Sequence, residues 1–223
     1  MSTENEQGVL ETWRLTPAYA PKVYIEPETW CDIHAAALVC PVEISLFCNR
    51  QVLPQNVLYV SCAHIFPQEC SLNDTSTFKS SFRILIQELS RIGEEPADHK
   101  CWVHSHVWSK TYASATDMRA IETLKSIGRD GGPPWKFRGL WVSIVVNKFG
   151  QAFCRVDIAE PNYGWEHVPL SLGRKNASGT ISPVRLTPFE LHCMLLDRTP
   201  LIANRVKECV TIHPETPKEP KKP

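Results

Sequence analysis

His104-Ser105-His106, followed after seven residues by Ser114-Ala115-Thr116-Asp117, sets two imidazoles, a hydroxyl and a carboxylate at a spacing suited to one divalent metal. The preceding Lys100-Cys101-Trp102-Val103 reads as a short apolar strand running into the histidines. Strand side chains two apart point to one face, so both imidazoles can grip one ion. Asp117 stands at the start of an amphipathic stretch whose apolar Met118, Ile121 and Leu124 suit a helix. On its first turn Ser114 and Asp117 are neighbours. Two neutral imidazoles and one carboxylate leave a fourth tetrahedral position for water, which separates catalytic zinc from closed structural zinc. Water held there is acidic, with a pKa near ~7 instead of ~15.7. Hydrolysis also needs a base that takes the proton and returns it to the leaving group. The best candidate is Glu43, in Cys40-Pro41-Val42-Glu43-Ile44-Ser45-Leu46-Phe47, between a predicted helix (Trp30 to Val39) and the mouth of an apolar strand.

Each piece has a plainer reading. Ser114-x-x-Asp117 resembles a capping box with Asp in place of Glu or Gln, which needs no metal. A glutamate at a helix–strand junction is usually solvated, and a chain with eight histidines can hold a chance His-x-His. The combination is what shifts the balance. Cys101 lies on the strand of His104 and offers a rival Cys/His nucleophile, but an offset of three sends the two side chains to opposite faces. His34, His64, His99, His167, His192 and His213 fit no ligand pattern with each other. Trp108 and Tyr112, in the loop between the metal ligands, are candidate substrate contacts, since exposed aromatics often anchor partners; the alternative is that they pack the loop down.

Pro41-x-Glu43-x-x-Leu46, then His104-x-His106, seven residues and Ser114-x-x-Asp117, in that order, resemble the signature of the JAMM, or MPN-domain, metalloproteases. That family includes deubiquitinating isopeptidases and prokaryotic relatives, and the resemblance covers roughly Val23 to Ile158. It implies one catalytic Zn2+ held by His104, His106 and Asp117, with Glu43 assisting attack of zinc-bound water and Ser114 donating a hydrogen bond to the oxyanion. It further implies an isopeptidase or peptidase that removes ubiquitin or a ubiquitin-like modifier from lysine adducts, or processes its precursor, with the modifier's tail lying extended beside zinc by strand addition. Activating and conjugating enzymes of the same pathway are the further partners expected. The lack of eukaryote-type insertions points to a prokaryotic, deubiquitinase-like member, with bacterial defence as the context. The alternatives are a non-catalytic MPN scaffold and a peptidase acting on sulfur-carrier adducts. Scaffold members usually lack a ligand, whereas Glu43, His104, His106, Ser114 and Asp117 are all present. One departure is Val107, where family members usually place Pro. No Cys/His-rich insertion that would carry a second structural zinc stands out.

The chain's 223 residues and 43% hydrophobic content suit one domain with trimmings. The expected division is an N-terminal extension (1–22), a catalytic domain (23–158), a C-terminal extension packed on it (159–212) and a disordered tail (213–223). Lys plus Arg equals Asp plus Glu, 24 each, which gives no electrostatic case for nucleic acid. No run of about 18 apolar residues suggests a membrane partner, and the polar Met1 to Gln7 leads to a cytoplasmic expectation. Nine cysteines, with no Cys-x-x-Cys, read as reduced small hydrophobes. The predicted order of helix, strand, strand, helix, strand, helix, strand, strand fits an α+β fold. In family terms this is an MPN-type mixed, mainly antiparallel sheet sandwiched by helices, a cytidine-deaminase-like three-layer arrangement. Phe82, Leu85, Ile86 and Leu89 form the expected stripe of a helix over Phe78 to Arg91. Gly128 to Pro134 is a breaker cluster, Glu160 to Gly179 is rich in turn formers, and a helix from Thr187 is expected to run to about Arg198.

Overall fold

Strands rich in Val, Ile, Leu and Cys, with apolar residues on both faces, call for a sheet covered on both sides. A computed structural model describes residues 20–71, 78–127, 140–159 and 162–213. The expectations for the first 19 residues, for Gly128 to Pro134 and for the tail beyond His213 lie outside these residues. In chain order the elements are β1 (Lys22–Ile25), α1 (Pro27–Val39), β2 (Ser45–Leu53), β3 (Val57–His64), β4 (Gln68–Cys70) and α2 (Phe78–Arg91). After a short 3-10 turn (Pro96–Asp98) come β5 (Cys101–Ser105), α3 (Ala115–Ile127), β6 (Trp141–Val146) and β7 (Ala152–Ile158). The remainder is β8 (Tyr163–Trp165), β9 (Leu170–Lys175), β10 (Ile181–Pro183), α4 (Pro188–Cys209) and β11 (Val210–Ile212).

Nine strands form one sheet in the order β10-β9-β1-β3-β2-β5-β6-β7-β8. Its eight pairings comprise five antiparallel and three parallel ones. The protein is therefore α+β with a mixed, mainly antiparallel sheet. Alternation along the central strands divides the interior in two. Leu46, Cys48, Cys101, Val103, Val142 and Ile144 join Ile33, Ala36 and Ala37 of α1 and Val206 and Cys209 of α4 in one core. Phe47, Trp102 and Trp141 point the other way, onto Leu85 and Leu89 of α2 and Ile121 and Leu124 of α3. Of the predicted α2 stripe, Ile86 is exposed; with Leu85 and Leu89 four apart toward the core, its position falls beside the buried seam.

Two expectations change in the C-terminal part. Glu160 to Gly179 holds β8 and β9, because β9 finds a parallel partner in β1, nearly 150 residues earlier by the pairing of Val23 with Leu170. The helix from Thr187 starts as expected, with Pro in its first turn and a Thr187–Glu190 capping box, yet it continues through Pro200 to Cys209. A proline inside a helix costs about 3 kcal/mol; burial of Val206 and Cys209 in the main core and the Arg198 ion pair with Asp32 of α1 offset it.

Under this helix, His34 of α1 meets the edge of Trp30 at 4.2 Å. Burial pushes its imidazole from the ordinary 6.5 down to about 4. The unfolded state thus binds the proton first: stability is full above pH 6.5, falls as pH drops toward about 4, and is flat below. The whole displacement corresponds to about 3 kcal/mol, and allowing for the partly open ring, about 2 kcal/mol is expected between neutral pH and the end of that window. Urea unfolding of the wild type and His34→Leu at both ends checks this; an equal loss in the two proteins would assign the acid sensitivity elsewhere.

Candidate metal centre

β5 is a central strand, antiparallel to β2 and parallel to β6. Its even-numbered residues face α2 and α3, so Trp102 enters that core and His104 stacks on it, with ring centroids 4.3 Å apart and planes at 21°. The strand ends at Ser105, and the His106 N–H donates to Val146 O at 2.9 Å, which keeps the second imidazole on the first one's face. Asp117 comes from the first turn of α3. The expected capping box forms there: Ser114 N–H donates to Asp117 Oδ2 at 2.6 Å, and Asp117 N–H donates to Ser114 Oγ at 3.2 Å. The capping and metal readings of this segment are thus compatible, since the cap aims the carboxylate at the histidines.

His104 Nε2 lies 3.2 Å from Asp117 Oδ1, His106 Nε2 lies 3.3 Å from Asp117 Oδ2, and the two Nε2 atoms are 3.2 Å apart. Ligands at ~2.0–2.2 Å around a tetrahedral zinc stand roughly 3.4 Å from one another, so the two imidazole nitrogens have the spacing of neighbouring ligands, with one Asp117 oxygen beside each. All three residues are buried. His106 Nδ1 lies 2.9 Å from the Lys110 carbonyl, which can only accept; Nδ1 therefore carries hydrogen and the neutral ring turns its Nε2 lone pair inward. His104 Nδ1 is buried without a hydrogen-bond partner among the described residues, so the pairing of this ring is concentrated on Nε2. The donor set fits a zinc-class ion.

The electrostatics agree. Burial holds the His104 imidazole below its ordinary range, against the pull of Asp117. Burial also opposes protonation of His106, but hydrogen bonds from it to Asp117 and the Lys110 carbonyl, and the charges of Asp117 and Glu43, raise it overall. Burial alone would raise Asp117, yet the hydrogen bonds from His104, His106 and Ser114 hold it well below the carboxylate range. A carboxylate held ionised beside two imidazole nitrogens is a group that could hold a cation.

Glu43 lies two residues before β2, which begins at Ser45. Ser45 pairs with His104, Ser105 N–H donates to Ile44 O at 2.9 Å, and Ile44 N–H donates to Ser105 Oγ at 3.1 Å. Glu43 follows on from this end of the pairing, and its charge acts on His106. Glu43 is half-buried. Ser114 Oγ accepts from the Asp117 amide at 3.2 Å. Cys101 faces the opposite core, and full burial, together with the adjacent Cys48, raises its thiol far above the ordinary range, which removes the rival nucleophile.

Trp108 and Tyr112 are 63% and 56% exposed. Tyr112 sets its edge toward the His106 ring at 6.2 Å. Trp108 meets Phe149, 66% exposed, at 5.4 Å, with Lys148 Nζ 5.3 Å above its ring. Two participants here were not singled out from sequence. Phe149 completes the aromatic patch from the β6–β7 turn. Asn147 ties that turn to the metal loop, its Nδ2 donating to Ser109 O at 3.0 Å and to Gln151 Oε1 at 2.8 Å. An asparagine before a Lys-Phe-Gly turn signals only the turn; its bond to Ser109 spans 38 positions.

No protein-family model matches the chain, and no curated protein shows significant similarity to it.

Proposed function

We propose that this protein is a zinc-dependent isopeptidase of the JAMM, MPN-domain kind, acting on lysine adducts of ubiquitin or a ubiquitin-like modifier. The observation that carries the proposal is the convergence of His104, His106 and Asp117, three buried donors 3.2–3.3 Å apart, with the charge of Glu43 acting on His106. These three would hold the zinc, which when bound supplies an acidified water and a Lewis acid for the scissile carbonyl. Glu43 takes the proton from the attacking water and delivers it to the departing lysine amine, the work of a half-buried carboxylate beside the ligands. Ser114 donates its hydroxyl hydrogen to the carbonyl oxygen as charge grows there, a contribution of a few kcal/mol for a well-aimed donor. Trp108, Phe149 and Tyr112 give the modifier an apolar surface at the rim. Helices on both faces of the mixed sheet support the MPN-type, three-layer assignment.

The test is cleavage of a ubiquitin-like modifier joined to a lysine side chain by an isopeptide bond, followed by mass spectrometry. Release of the free modifier, abolished by chelator and restored by zinc, is expected. A zinc-loaded chain that leaves the bond intact across a panel of such modifiers but binds them would favour the scaffold reading.

A further inference from the structure

α2 ends where Gly93 takes a φ of +79°. Gly93 N–H donates to Ser90 O at 3.2 Å and Glu94 N–H to Leu89 O at 2.9 Å, the paired closure that stops a helix on a left-handed glycine. The closure fixes Glu94 just beyond the helix. Pro96 then opens the 3-10 turn, whose start is capped by the Glu95 carboxylate accepting from Ala97 N–H at 3.1 Å. That turn delivers His99 two residues before β5. His64 ends β3, paired with Phe47 of β2. The end of β3 and the segment joining α2 to β5 thereby bring His64 Nε2 and His99 Nε2 to 3.2 and 2.8 Å from one oxygen, Glu94 Oε2.

His99 Nδ1 lies 3.1 Å from the Glu95 carbonyl. A carbonyl only accepts, so Nδ1 carries the hydrogen and the neutral ring directs its Nε2 lone pair at the Glu94 carboxylate. The His99 side chain is 1% exposed, and both Nε2 atoms are buried yet placed outside hydrogen-bonding geometry among the described residues. Two ring nitrogens converging on one carboxylate oxygen offer three donor atoms to a cation placed among them. A backbone carbonyl on the far ring nitrogen is also the usual support of a ligating imidazole. The neighbouring Arg205 is already paired, with Glu88 at 2.8 Å and Glu208 at 3.6 Å. Two imidazoles and one carboxylate favour zinc or a similar transition ion over magnesium or calcium, which prefer oxygen-only shells.

We propose that His64, Glu94 and His99 form a second zinc-class site, which clips the end of β3 and the C-terminal turn of α2 to the start of the strand bearing the first centre. His64 and Glu94 are 23% and 35% exposed, so solvent completes the coordination. The role is structural, and the site stands independently of the hydrolase reading.

The test is zinc per chain by elemental analysis, with zinc titration by calorimetry. Two ions are expected in the wild type, one in His104→Ala/His106→Ala, and one in the surface-accessible Glu94→Gln. Adding Glu94→Gln to the His104→Ala/His106→Ala chain should weaken the remaining site at least about tenfold. The proposal is overturned if that double variant, folded by circular dichroism, binds no zinc, or binds it equally well once Glu94→Gln is added. Should the double variant not fold, an unchanged zinc content in Glu94→Gln alone overturns it. A wild type that binds a single ion, kept in His104→Ala/His106→Ala and lost in Glu94→Gln, would count against the hydrolase centre and leave this site standing.

Discussion

Glu43→Gln is expected to keep its zinc and lose about 10²- to 10⁴-fold in turnover, the span a positioned proton acceptor supplies. Glutamine preserves the shape of the side chain, so the β2–β5 register next to position 43 is undisturbed. What it removes is basicity, since an amide cannot take a proton from water near neutral pH. His106→Ala is the contrasting case. It deletes one of three mutually close donors and leaves the strongly ionised Asp117 with a single imidazole, so metal and turnover are lost together. Metal content and cleavage rate measured on both variants separate the roles. Turnover near wild type in the Gln variant would reject Glu43 as the proton carrier.

Val107→Pro is expected to destabilise the protein by at least about 3 kcal/mol, because proline is locked near a φ of −65° whereas residue 107 sits at +40°. A branched side chain in the left-handed region is itself strained, by roughly 1–3 kcal/mol. Here the strain has a visible holder: the Val107 side chain is buried, its carbonyl accepts from Lys148 N–H at 2.9 Å, and Ser109 N–H bonds back to His106 O at 2.6 Å. The loop therefore follows a route that proline at this position cannot take. Because the loop begins at His106, a proposed metal donor, Val107→Pro should also weaken zinc binding, while Val107→Gly, free to adopt positive φ, should fold and bind zinc as the wild type does. Urea unfolding with metal analysis checks both; a Pro variant as stable as wild type would show that the loop takes another path.

The extent to which the site was legible in the sequence follows the range of each interaction. His104 and His106 share a face because a strand repeats every two residues, and Asp117 meets Ser114 because a helix repeats near every four; both were readable and both hold in the fold. Cys101 could be set aside for the same local reason. The β9 strand and the passage of α4 through Pro200 were not readable, since a parallel partner and a buried helix face lie far off in the chain and outweigh local preference. His64 and His99, which showed no ligand pattern with each other, meet at Glu94.

Donor chemistry, the face of β5 that carries it and the cap that aims Asp117 depend on short periodicities and on hydrogen bonds within one turn, so they can be read along the chain. That Phe149 joins Trp108, that the charge of Glu43 reaches His106, and that His64 comes to Glu94 and His99 depends on how distant segments fold together. Strand register and the closing of loops are set by which apolar faces can be buried together, a property of the whole sheet and of no single segment.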